Sequence, residues 1–569
     1  MSANPFEKSR PAGVDLSRRQ FMEKSGVALV AGVAMSSFST VVDSSTEQGS
    51  GQPSKHPNIV ILITDQERLP QYWPDGWADT NLPNRKRLAK HGLTFTNAFC
   101  NAAMCSPSRA TLFTGLYPAQ HGVEHVLNAA NTEQPTLQPA TQNMARMLVT
   151  AGYDVQYRGK WHMSKDPSGT LPVQSRSDLG RYGFQGWQPP DAGGDQNPAT
   201  FGGGCTNYDA MYADQAAAFL ERADPRASKP FALFVCLINP HDIMSYPSLW
   251  NQASFSDIPQ FEGCNNYGDL APGCFDQGIS LPPTVHENTD KNFKPSAQAQ
   301  STAMWAQGLG PITSHQDQMK YVNFYAYLHR ISDAHMGTVL DALESNHALY
   351  EKTIVIRLAD HGEMGLSHGG MRQKAFNAYE ETIHVPLVIS NPMLFPNPVH
   401  THALASLIDL MPTLATLADV PDRDRWNFKG VDLTPVIQDA IDHPGRHPTE
   451  TVQDSILFTT DETDPGGTVT EPSHVRCLRE MWWKFTIYFD PDGKADPQYE
   501  LYDLRTDPTE LHNMANPANV KYYDPDKTKV MLDKLLRKME ETGTDPRRFT
   551  GDSPDHHAEA SPQIQDSTI

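Results

Sequence analysis

The chain reads as an α/β sandwich on a large, mostly parallel sheet flanked by helices, followed by a smaller α+β unit. Two observations carry that reading. Between residues 58 and 390, continuous apolar strand-like runs alternate with amphipathic helical segments, as in a sheet buried on both faces. Beyond about residue 425 strand-like runs follow one another and end in a single long helix.

In chain order, "NIVILIT" (58–64), "YDVQYRG" (153–159), "FALFVCLI" (231–238), "TIVIRLA" (353–359) and "VPLVIS" (385–390) are the expected buried strands. Helical periodicity covers 141–152, 211–223, 318–346 and 404–420. Residues 245–315, rich in Pro, Gln, Asn and Gly, interrupt this rhythm and read as a long substrate-loop insertion. "SILFTTDE" (455–462), "HVRCLREMWWKFTIYF" (474–489) and "YELYDL" (499–504), then a helix over 527–543, make up the second unit. The expected domains are a catalytic one over 56–425 and a small-sheet subdomain over 426–545, with a polar, disordered tail over 546–569.

Residues 1–45 read as an export signal and linker. Arg18-Arg19, with Ser17 and Phe21, precede a weakly apolar run over 26–38, an arrangement that resembles the twin-arginine type. That predicts a periplasmic or secreted protein delivered by the twin-arginine machinery. No later stretch reaches the ~18 apolar residues of a membrane span, so no stable membrane insertion is expected. A net charge of -21 excludes general nucleic-acid binding, which needs a basic footprint. The seven cysteines show no CxxC spacing, so a zinc site is not indicated; Cys264 and Cys274 flank a short loop and could pair.

Ligands of open α/β sheets bind beyond the carboxyl ends of the strands. Chemically useful residues collect there: Asp65 and Gln66 after the first strand, Lys160 and His162 in "GKWH", His241 in "NPHD", Asp360 and His361 in "ADHGE", with Lys374 close behind. Singly, each has an ordinary reading as a cap, a packed imidazole or a surface lysine. Four strand ends with the same character point to one site. Asp65, Gln66, Asp360 and His361 offer mainly oxygen donors, suited to Ca2+, with Mg2+ or Mn2+ as alternatives. Arg109, Lys160, Lys374, His162 and His241 suit an anionic, oxygen-rich group transferred past a nucleophile. In "CSPSRATLFTG" (105–115), Pro107 and the run that follows place Cys105 at a helix N-terminus, where a thiol is acidified; a buried small side chain or half a disulfide is the alternative.

This segment resembles the signature of the formylglycine-dependent sulfatases of the alkaline phosphatase superfamily, Cys-x-Pro-x-Arg followed by Thr-Gly. The similarity runs from about Asn58 to "ELYDLRTDPTELHN" (500–513). It implies that a formylglycine-generating enzyme converts Cys105 to Cα-formylglycine (3-oxoalanine), whose hydrate attacks the sulfur of a small-molecule or carbohydrate sulfate ester. The covalent sulfate then collapses to aldehyde and free sulfate, two easier steps in place of one. It further implies that Asp65, Gln66, Asp360, His361 and the Cys105-derived oxygen hold the metal. Arg109 and Lys160 would stabilise the hydrate and His162 would assist collapse. His241 and Lys374 would bind sulfate oxygens, with His241 a candidate general acid. Two departures, Gln66 for the more common Asp and His361 for Asn, resemble the phosphonate monoester and phosphodiester hydrolase branch, which is the alternative reading. A non-catalytic sulfated-glycan binder is a third. Trp73, Trp77, Trp250 and Trp305 could line a sugar or aryl pocket or be structural.

Overall fold

The computed structural model describes residues 54–69, 71–128, 134–166, 176–194, 200–204, 206–247 and 273–545. The expected signal, the terminal tail, Cys205, Trp250 and Cys264 lie outside these residues.

The main sheet has seven strands in the order β3-β4-β1-β5-β6-β2-β7. They are β1 (Asn58–Asp65), β2 (Gly92–Phe99), β3 (Asp154–Gly159), β4 (Phe231–Pro240), β5 (Thr353–Ala359), β6 (Leu387–Ser390) and β7 (Val399–Ser406). All neighbours run parallel except β6, which is antiparallel to both β5 and β2. β2 and β7 escape the sequence reading. β2 carries Thr and Asn among its apolar residues, and β7 continues directly into the segment read as helix over 404–420. That helix, α6, spans only Leu410–Leu417, because Leu404 to Ser406 pair with β2.

The period-two alternation of β1 shows why the sheet is buried twice. Ile59, Ile61 and Ile63 face one core with Phe234 and Ile356, covered by α1 (Cys105–Thr114), α2 (Met144–Thr150) and α6. Val60 and Leu62 face the other, covered by α3 (Tyr208–Leu220) and the 30-residue α5 (His315–Glu344). Each such side chain contributes about 1.5–3 kcal/mol of burial, enough to seat charged groups at the strand ends. Between α3 and α5 lies α4 (Ser296–Leu309), an ordered helix within the stretch read as an insertion. No helix among the described residues is long and apolar enough to cross a membrane.

A second, antiparallel sheet has the order β11-β10-β9-β8, with β8 (Ser455–Thr460), β9 (His474–Glu480), β10 (Trp483–Phe489) and β11 (Gln498–Asp503). The run read as one strand over 474–489 is thus a hairpin. Helix α7 (Pro525–Thr542) packs Met531, Leu535 and Met539 on this sheet. β8 abuts the catalytic unit directly: Asn101 Nδ2 donates to the Leu457 carbonyl at 3.0 Å, and Thr459 N to the Asn101 carbonyl at 2.9 Å. A buried ionic knot ties the units together. His368 Nδ1 lies 2.6 Å from Glu287 Oε2, its ring stacks on Tyr379 with centroids 3.6 Å apart, and Lys294 Nζ donates to Tyr502 Oη at 2.7 Å.

Cys100, Cys236, Cys274 and Cys477 carry free, buried thiols. The pairing of Cys274 with Cys264 that spacing admits involves Cys264, which lies outside the described residues.

Candidate active site

Five strands deliver the site. β1 ends on Asp65, the turn after β2 leads to Cys105, β3 runs into Lys160, β4 into His241 and β5 into Asp360. Because all five point the same way, their carboxyl ends meet. Cys105 is the first residue of α1, a helix buried along its whole length and closed by Gly115 at φ 66°. The helix dipole therefore favours negative charge at Sγ.

The Cys105 Sγ lies 3.2 Å from His361 Nε2 and 3.6 Å from Asp65 Oδ1. Lys160 Nζ pairs with Asp65 Oδ2. Burial alone would raise the Cys105 thiol; Lys160, Lys374, His361 and a hydrogen bond with His162 outweigh it and hold the thiol well below its usual value. Burial likewise works against an ionised Asp65, but Lys160, His241 and His361 bring its carboxyl below the usual range. Asp360 goes the other way, pushed up to about 6 by burial and by the Asp65 charge. Burial and Lys160 push His241 down to about 4, so its imidazole is neutral at pH 7.

The remaining expected residues frame this centre. Arg109 is fully buried and spends its donors on protein: Nε on the Trp161 carbonyl (3.0 Å), Nη1 on Asp360 Oδ2 (3.2 Å), Nη2 on the Lys160 carbonyl (2.6 Å) and Tyr157 Oη (3.1 Å). It thus locks the β3 and β5 ends together. His162 takes φ 51°, donates its backbone N–H to both Asp191 carboxylate oxygens, and sets Nε2 2.8 Å from the Leu127 carbonyl. Gln66, at φ 67°, accepts from Lys374 Nζ at 2.6 Å through Oε1 and donates to Glu363 Oε2 at 2.5 Å through Nε2. All ten residues singled out from the sequence therefore lie in one connected cluster.

Donor chemistry fits a hard cation. Ligand atoms of Asp65, Asp360 and His361 lie within 4.8 Å of one another, all buried. His361 Nδ1 is 3.0 Å from the Gly362 carbonyl, which directs Nε2 at the carboxylates. Burial disfavours a proton on His361, yet Asp360 raises its pKa, the same attraction the carboxylates would exert on a cation.

Sequence reasoning missed Glu363, Gln373, Asp191 and Glu462. Glu363 sits in the quoted "ADHGE", and its acidic character beside a metal motif was the available signal. Asp191 and Glu462 act across long sequence separations on the amides of Trp161 and Val126, and no local pattern announces them.

A family model described as Sulfatase matches residues 57–420, and one described as N-sulphoglucosamine sulphohydrolase, C-terminal, matches 368–542. The chain is 25% identical over 505 residues to arylsulfatase K of Gallus gallus, covering 85% of this chain and 83% of that protein. Among solved structures, a 2-O GAG sulfatase aligns at TM-score 0.61 and 21% identity over 86% of this chain and 96% of that one. The phosphonate monoester hydrolase of Agrobacterium radiobacter aligns at TM-score 0.58 and 21% identity, over 85% of this chain and 96% of that one.

Proposed function

This chain belongs to the sulfatase family and is a sulfuric ester hydrolase, and on that premise we propose that Cys105, after conversion to formylglycine, is its nucleophilic residue, with Asp65, Gln66, Asp360 and His361 holding Ca2+. The observation that carries this reading is the convergence on Cys105 Sγ of a helix N-terminus, Lys160, His361 and two buried carboxylates. The family generally uses a metal and formylglycine. The bound cation would neutralise the carboxylate pair and draw the anionic ester inward; formylglycine would supply a hydrated aldehyde oxygen as nucleophile.

The chain's own residues then have distinct tasks. Lys160 and Lys374 bring positive charge to the transferred sulfate's oxygens. Arg109 holds Asp360 and the Lys160 backbone in register. His241, neutral in the free site, gains a proton more readily once an anion lies beside it, and it donates that proton to the leaving alkoxide. His162, oriented by Asp191 and Leu127, takes the proton released when the covalent sulfate is expelled.

Gln66 supports a second reading, a phosphonate monoester or phosphodiester hydrolase, because a neutral amide replaces a carboxylate at the metal. The substrate class proposed is a small-molecule or carbohydrate sulfate ester. Export through the twin-arginine machinery to the periplasm or beyond is proposed from Arg18-Arg19 and the apolar run behind them. The modifying enzyme would then act before export, while Cys105 is reduced and accessible. Mass spectrometry of the Cys105 peptide, followed by kcat/KM for an aryl sulfate, a phosphonate monoester and a phosphodiester, tests the reading. Formylglycine with preference for the sulfate is expected; an unmodified thiol in active protein would overturn the mechanism.

A further inference from the structure

We propose that the cavity beside Cys105 receives the alcohol half of the ester as a neutral or amine-bearing ring, and rejects rings carrying a second anionic group. The inference rests on the sulfatase reading above and specifies its substrate class.

The cavity holds about 300 Å3, room for a single ring rather than an extended chain segment. It shares walls with the reacting groups: Met104 precedes Cys105, Ala375 follows Lys374, and Val126 precedes Leu127, whose carbonyl orients His162. On that adjacency we place the alcohol half of the ester in it. Trp305 and Phe376 supply flat apolar surface. The Trp305 backbone is fixed by Arg372 Nη2, which donates to its carbonyl at 2.9 Å.

Two polar atoms of the lining are buried and lack a hydrogen-bond partner, Trp305 Nε1 and His125 Nδ1. A buried polar group left unpaired costs about 1–3 kcal/mol, and ring hydroxyls, which both donate and accept, would pair both.

Charge decides the class. Among the described residues the lining carries two acidic side chains, Glu462 and Asp464, and no Lys or Arg. Asp464 is committed to the amides of Gly466, Thr468 and Val469. Glu462 is held at the cavity by Val126 N, which donates to Oε2 at 2.8 Å. Burial pushes the Glu462 carboxyl up to about 8, as befits a carboxylate short of a cation. Ionised, it gives an ammonium group a counter-charge; protonated, it gives an anion one O–H donor but no counter-charge. A second sulfate or carboxylate on the ring would thus lose its water without gaining a counter-charge, the costly case for a buried ion.

The test uses full-length protein with confirmed formylglycine and aryl sulfates that differ only in one ring substituent: nitro, aminomethyl or carboxylate. The aminomethyl and nitro esters should exceed the carboxylate ester in kcat/KM by at least about tenfold. Glu462→Gln should narrow the aminomethyl-to-carboxylate ratio by about tenfold, chiefly through KM, and Trp305→Ala should raise KM for all three by a similar factor. Equal or faster turnover of the carboxylate ester, or a ratio unmoved by Glu462→Gln, overturns the inference and leaves the sulfatase reading intact. Failure to hydrolyse any of the three esters overturns the sulfatase reading itself.

Discussion

Lys374 donates from Nζ to Gln66 Oε1 at 2.6 Å, while the same amide donates from Nε2 to Glu363 Oε2 at 2.5 Å. Gln66 is therefore read at both ends, and no carboxylate could replace it unchanged. A glutamate there would set two buried carboxylates against each other and neutralise Lys374. Unit charges about 4 Å apart at an effective dielectric near 20 repel by roughly 4 kcal/mol. Gln66→Glu should lower kcat/KM on an aryl sulfate by about a hundredfold or more and lower the denaturation midpoint. Retention of full activity in steady-state assays would show that the neutral amide has no electrostatic role.

The Asp65–Asp360 pair predicts how metal removal behaves. Two buried carboxylates held this close destabilise the empty site, and a cation relieves them. Saturating metal at a hundred times Kd should add about 2.7 kcal/mol, measurable as a fall in Tm on chelation. Asp360→Asn should abolish this metal-dependent shift and reduce turnover by about a thousandfold. A normal metal response in that variant would remove Asp360 from the ligand set.

Cys105→Ala should eliminate turnover and leave the fold, because Sγ faces the charged cluster and packs little apolar surface. The expected cost is on the order of 1 kcal/mol, read by thermal unfolding. Activity near wild type would refute the nucleophile assignment.

How far the sequence reveals this molecule depends on how local each cause is. Strands β1, β4 and β5 are legible because burial on both faces demands unbroken apolar runs. β2 and β7 are not, since polar residues such as Thr94, Asn97 and His400 interrupt their runs. Catalytic candidates are legible because chain reversals after parallel strands expose their side chains at one edge of the sheet. The residues that orient them are hidden. Asp191 reaches the Trp161 amide across 30 positions, and Glu462 reaches Val126 across 336, so only the folded chain brings them together.

Gly159 is the hinge between β3 and Lys160, and its backbone explains why no other residue serves. It sits at φ +101°, and a Cβ there would lie 2.0 Å from the Cys236 carbonyl oxygen, which also accepts the Lys160 N–H. Gly159→Ala should cost more than about 3 kcal/mol and displace Lys160 from Asp65, so soluble protein would be scarce and inactive. Gly122→Ala is the matched comparison: φ is +78° but nothing lies within 4 Å, and about 1 kcal/mol is expected. Equal Tm losses in the two variants would contradict the steric account.

His368, outside the active site, should contribute to the pH dependence of stability. Burial opposes its proton, but hydrogen bonds to Glu287 and Glu381 raise its pKa from 6.5 to about 9. A group whose folded pKa exceeds its unfolded value stabilises fully below the lower of the two and is lost as pH rises through the higher. Stability should therefore fall between pH 6.5 and about 9, by up to roughly 3 kcal/mol for a shift of this size. Because Glu287 precedes the ordered helix α4 and Tyr379 packs beneath the ring, deprotonation should loosen the contact between the units before the main sheet unfolds. His368→Gln keeps a donor for Glu287 but no titratable charge, so its Tm should be lower at pH 6 and fall less steeply than that of the wild type from pH 6 to 9. A wild-type Tm that is flat over that range would mean the imidazole is neutral in the folded protein.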